Sequence, residues 1–114
     1  MADLVKEGLQ IPASQYDGAR RFIAECRTKI AEQYTATPVI LVPAAPGPAP
    51  RGLESTGDSR MNAPWTALGT PAISIPMPVG NALPLGLQLT AGHGNEAVLL
   101  RTAVRLEQLL REVS

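Results

Sequence analysis

The run from Leu83 to Thr90 alternates without a break, with Leu83, Leu85, Leu87 and Leu89 interleaved with Pro84, Gly86, Gln88 and Thr90. A period of two is the side-chain period of an extended strand, and it sorts the leucines onto one face and small or polar residues onto the other. A chain carrying this run must supply a sheet with an apolar layer on one side. Immediately before it, Gly80 and Asn81 form a turn signal, and Ala72 to Met77 places Ile73 and Ile75 on one face and Ala72 and Ser74 on the other. The simplest reading is an antiparallel pair joined by a loop.

The other elements are arranged around this pair. Ala19, Phe22, Ile23, Cys26, Ile30 and Tyr34 recur at helical spacing, so a helix is expected from about Gln15 to Tyr34, capped by Ser14. Arg20, Arg21, Glu25, Arg27, Lys29 and Glu32 fall on its solvent face. The helix stops before Pro38, and Val39 to Val42 then forms a short, wholly apolar run, as in a strand of a parallel or mixed sheet covered on both faces. Residues 43–60 read as a loop stiffened by proline, an extended crossover in preference to a docking motif. Asn62 to Leu68 reads as a short helical turn. A final helix is expected from Asn95, burying Leu99, Ala103, Leu106 and Leu110 and exposing Arg101, Arg105, Glu107 and Arg111. The expected fold class is α/β, a partial mixed sheet with flanking helices. Residues 1–13 are expected to be a tail or remnant loop, and residues 14–114 the folded segment.

A length of 114 residues suits one core. Apolar residues make up 45% and the formal net charge is zero, which gives no electrostatic reason to expect nucleic acid or an anionic membrane surface. A single cysteine, Cys26, excludes an internal disulfide, and no apolar stretch approaches a membrane span. The opening M-A-D-L-V-K-E lacks a basic region followed by a long apolar run, so the expected location is cytoplasmic. No metal-ligand spacing, phosphate loop or dinucleotide fingerprint occurs, and neither metal nor cofactor is expected.

Residues 56–91 contain T-G-D at Thr56 to Asp58, N-x-P-W at Asn62 to Trp65, L-G-x-P-A-I-S-x-P from Leu68 to Pro76, and L-P-x-G-L-Q from Leu83 to Gln88. Together these resemble the C-terminal part of an amidase-signature hydrolase, and the resemblance extends over roughly residues 12–110. It implies hydrolysis of carbon-nitrogen amide bonds by a serine nucleophile, a bridging serine and a lysine. A serine hydroxyl needs a positioned base, and the developing oxyanion needs preorganised donors. In the family these lie upstream, in a G-G-S-S-G-G-type run that this sequence does not contain.

The residues present do not replace that set. No two of Ser14, Ser55, Ser59, Ser74 and Ser114 are adjacent, and the lysines are Lys6 and Lys29. Ser74 sits in P-A-I-S-I-P, a strand without the glycine-flanked turn that exposes a nucleophile. His93 belongs to a loop, with no partner identifiable, and Cys26 belongs to an apolar stripe. The pocket candidates are Asn62, Trp65 and Thr66, with Trp65 serving either a pocket wall or core packing with its indole N-H on a carbonyl. Gln88 is expected to bond across to a neighbouring strand or to the upstream catalytic half, and Asp58 is a weaker candidate for a polar substrate group. The expected function is therefore that of the C-terminal portion of an amidase, inactive alone. The alternative is a binding or complementation module that pairs with a separate amidase N-terminal half, or a chain that self-associates.

Overall fold

A computed structural model describes residues 1–113; Ser114 lies outside the described residues. The elements in order are α1 (Ala2–Gln10), α2 (Ala13–Ala36), β1 (Val39–Pro43), α3 (Ala63–Leu68), β2 (Ala72–Pro76), β3 (Gly86–Ala91) and α4 (Glu96–Glu112). No helix among the described residues is long and apolar enough to cross a membrane.

The three strands form one sheet in the order β1-β3-β2, and both pairings are antiparallel. The expected pair is β2 with β3, where Ile73 faces Leu89 and Ser74 faces Gln88. The expectation of a mixed sheet is corrected. β1 runs antiparallel to β3, with Leu41 opposite Leu89, and it is an edge strand paired on one side only, with Val39, Ile40 and Val42 half-buried. An all-apolar run signals burial but carries no alternation from which a neighbour or direction can be read. As an edge, β1 leaves Leu41 about half exposed, at 51%.

α4 lies across the leucine face. Leu99 and Ala103 are buried with Ile75, Leu89 and Ala91, and Leu106 and Leu110 pack at the margin, as their helical spacing predicts. Burying a leucine such as Leu99 contributes roughly 1.5–3 kcal/mol. Asn95 occupies the N-cap position as expected, although its side chain makes no capping bond.

At the other end of the chain the expectations are met less well. α2 begins at Ala13 with Pro12 as its N-cap, so Ser14 lies within the helix and caps nothing. Only Tyr34 of its apolar stripe is buried; Ala19 and Phe22 are exposed, because the first half of the helix extends beyond the sheet with none of the described residues covering it. Residues 2–10, expected as a tail or loop, are helical. Leu4, Val5 and Leu9 line up at helical spacing, yet α1 buries no residue.

These projections leave a large surface. The chain exposes 8682 Å², where a compact monomer of its mass, 12.0 kDa, exposes about 6,000 Å². Its radius of gyration is 17.2 Å, against about 13 Å for a compact chain of this length.

Candidate functional site

β3 is covered on both faces, and the face opposite the leucines is where polar chemistry collects. Gln88 and Thr90, two residues apart, project from it and are both buried. The Thr90 hydroxyl, fully buried, shares a hydrogen bond of 2.7 Å with the Tyr34 hydroxyl, which docks the end of α2 onto the sheet. Gln88 Nε2 donates to Asn62 Oδ1 at 3.1 Å, fastening the residue that begins α3. Gln88 Oε1 is buried and has no hydrogen-bond partner among the described residues.

α3 is short and held at both ends. Pro64 sits in its first turn, where the missing N-H costs nothing, and Gly69 terminates it in the left-handed conformation at φ 69°. Arg27 then reaches from α2 to donate through Nε and Nη2 to the Ala67 carbonyl, at 3.1 and 2.8 Å. A cation bonded to the last carbonyls of a helix is favourable. Arg27 is thus exposed, as its place on the helix predicts, but also joins α2 to α3.

A cleft of about 600 Å³ opens at the end of the sheet that carries Pro43 and Gly86. The proline-rich loop forms one wall, and T-G-D and L-P-L-G from opposite ends of the motif block meet there, Asp58 on one side and Leu85 and Gly86 on the other. Gly86 is required by close approach. A Cβ at this position would lie 2.5 Å from Ser74 Oγ and 3.0 Å from the Ala44 methyl. Among the described residues, Asp58 is the one titratable group lining this cleft. It accepts from Arg60 Nε at 2.6 Å and from the Arg60 amide at 2.8 Å, and these bonds hold its carboxyl below the usual range, so it stays ionised at neutral pH.

The sequence-predicted site residues are brought together in part. Asn62, Trp65 and Thr66 share one short segment but do not line this cleft. Trp65 is half-buried, with an indole N-H that makes no hydrogen bond among the described residues; Thr66 is exposed, with its hydroxyl 3.4 Å from the Asn62 carbonyl. Ser74 is exposed beside Gly86 without a lysine or histidine bonded to it. His93 is exposed and borders a separate recess with Arg27, Tyr34 and Thr70. Cys26 is half-buried, and Lys29 is exposed. Among the described residues no group of three or more His, Cys, Asp or Glu is placed to hold a metal ion. Sequence reasoning did not identify the Tyr34–Thr90 and Arg27–Ala67 bonds. Both join residues far apart in the chain, and the only local sign was the position of Tyr34 at the end of its stripe.

The arrangement can bind but, among the described residues, contains no nucleophile bonded to a base. No protein-family model matches the chain. It is similar to a glutamyl-tRNA(Gln) amidotransferase subunit of Lysinibacillus sphaericus, 33% identical over 109 residues that cover 86% of this chain and 22% of the relative. It is also similar to the proteins of the same name from Halalkalibacterium halodurans, at 36% identity over 96 residues, and Bacillus licheniformis, at 30% over 109. These matches cover 78% of this chain and 19% of the relative, and 86% and 22%, respectively. The chain therefore spans about a fifth of the length of the amidotransferase subunits it resembles.

Proposed function

We propose that this chain is the C-terminal portion of an amidase-signature enzyme, a scaffold for one side of an amide-binding cleft that does not hydrolyse amides alone. The observation that carries this reading is the meeting of the T-G-D and L-P-L-G segments at one cleft whose lining holds an ionised carboxylate and, among the described residues, no nucleophile–base pair. The similarity to amidotransferase subunits, proteins named for transfer of an amide group, supports the chemistry at the level of the bond. In this reading Asn62, Trp65 and Thr66, which stand away from this cleft, meet a substrate only on the wall that an upstream half completes, the chain acts in the cytoplasm, and that half supplies the serines and lysine.

The purified chain, incubated with simple aliphatic and aryl amides, is expected to release no ammonia or amine above buffer. Turnover abolished by Ser74→Ala would overturn the proposal, because Ser74 would then be a nucleophile.

A second reading is favoured by the exposed surface: the chain is a complementation module that binds a separately made amidase N-terminal half. The excess over a compact monomer, roughly 2,700 Å², exceeds the ~800 Å² that each partner covers in an ordinary protein–protein contact. Co-purification with such a half and recovery of amide hydrolysis would establish it. A monodisperse monomer that ignores the half and unfolds in one ordinary transition would exclude it.

A further inference from the structure

The outer edge of β1 is an open template. The Ala44 amide donates to the Gly86 carbonyl, and Leu41 lies opposite Leu89. In an antiparallel pair bonding alternates along the strand, so the backbone groups of Val39 and Leu41 point away from β3. Nothing among the described residues pairs with them. Exposed edges are ordinarily protected by charge, a bulge or a cover. V-I-L-V-P has no charged residue, and only Pro43, which lacks an N-H, ends the ladder.

Beside this edge a groove of about 480 Å³ runs between β1 and α4. Val39, Leu41, Leu106 and Leu109 form its apolar floor, Arg101 and Arg105 flank it, and no acidic residue among those described lines it. Edge and groove together match one extended segment. Its backbone would continue the sheet, its apolar side chains would alternate into the groove, and a carboxylate would meet the two arginines.

The geometry points to β1 and the α4 groove as the seat of an acidic, apolar strand supplied by an amidase N-terminal half, which adds a fourth strand in the order β2-β3-β1-added strand. This rests on the pairing reading above and names the surface it uses. A second copy is a poor occupant. Antiparallel pairing of β1 with β1 of another copy, about a two-fold axis perpendicular to the sheet, places both α4 helices on the same face. Four arginines would then converge where like charges repel. One strand-to-strand contact would also cover far less than the excess surface.

The test uses the full chain and the part of the Lysinibacillus sphaericus relative that precedes the matched portion, produced separately. Amide hydrogen exchange is read residue by residue with and without that half. The expected result is a complex in which exchange at Val39 and Leu41 slows by about tenfold or more. Leu41→Lys should abolish the complex; because Leu41 lies opposite Leu89 in the sheet, the variant's fold is checked by circular dichroism. Arg101→Glu with Arg105→Glu, on exposed positions, should weaken association about tenfold or more and reduce its dependence on salt.

A complex that protects Ala72 and Ser74 on the opposite edge, leaving Leu41 unchanged, would overturn the assigned surface while sparing the pairing reading. Absence of any complex would overturn both. Protection of Leu41 in the chain alone, with a dimer in sedimentation, would assign the edge to a second copy and overturn the proposal.

Discussion

Gln88, buried in the central strand, donates its only side-chain hydrogen bond to Asn62 at the start of α3, while its carbonyl oxygen has no partner among the described residues. Two motif segments separated along the chain by α3, β2 and a loop are thereby fastened together, and the fastening is polar. An interior polar tie costs more when half of it is removed than when it is replaced by apolar atoms.

That asymmetry orders two substitutions. Asn62→Ala leaves the whole Gln88 amide unsatisfied and should destabilise the chain by about 1–3 kcal/mol. Gln88→Met removes the orphaned oxygen and its partner's obligation together, since Asn62 is exposed, and should cost less. Urea unfolding of both variants measures the order. If Gln88→Met is the more destabilising, the amide has a partner not accounted for by this tie.

Tyr34→Phe strips the fully buried Thr90 hydroxyl of its partner and should cost about 1–2 kcal/mol. Adding Thr90→Val should recover part of that loss. Additive effects in this double-mutant cycle would show that the two hydroxyls are uncoupled.

Gly86→Ala places a methyl against Ser74 Oγ and the Ala44 methyl, and should destabilise by about 1–3 kcal/mol. The hydroxyl can move, whereas Ala44 sits on backbone next to β1. Ser74→Ala should therefore restore only part of the stability, as read from thermal unfolding.

Asp58 provides the pH-dependent contact. Its folded pKa lies below the unfolded value of 3.8, chiefly through the side-chain bond from Arg60. The contribution is present in full above the unfolded value and is lost as pH falls through the lower folded one. An NMR titration of the Asp58 carboxyl should give a midpoint below 3.8, and Arg60→Gln should move it upward. A wild-type midpoint at the ordinary aspartate value would show that the bond does not persist in solution.

The outcome differs between the two ends of the chain for a physical reason. In β3 and α4, period and burial agree: Leu87 and Leu89 face Leu99, Leu106 and Leu110 because an alternating strip and a helical stripe of matching polarity meet across one layer. In α2 the same kind of stripe predicted burial for Phe22, which is 64% exposed. A stripe states which side seeks an apolar neighbour and cannot say whether this chain contains that neighbour.

The sequence by itself determined β2, α4, the Leu87 and Leu89 part of the leucine strip and the absence of an adjacent serine pair with its lysine, because these follow from spacing and residue identity along a local stretch; it missed α1 and extended the strip to Leu83 and Leu85, which lie outside β3 and are exposed. Only the tertiary structure decided that β1 is an antiparallel edge, that Gln88 meets Asn62 and Tyr34 meets Thr90, and that T-G-D meets L-P-L-G at one cleft. Strand direction and side-chain partnership depend on how the chain returns on itself through a long loop, and the free energy of that return lies in contacts between residues that no local pattern relates.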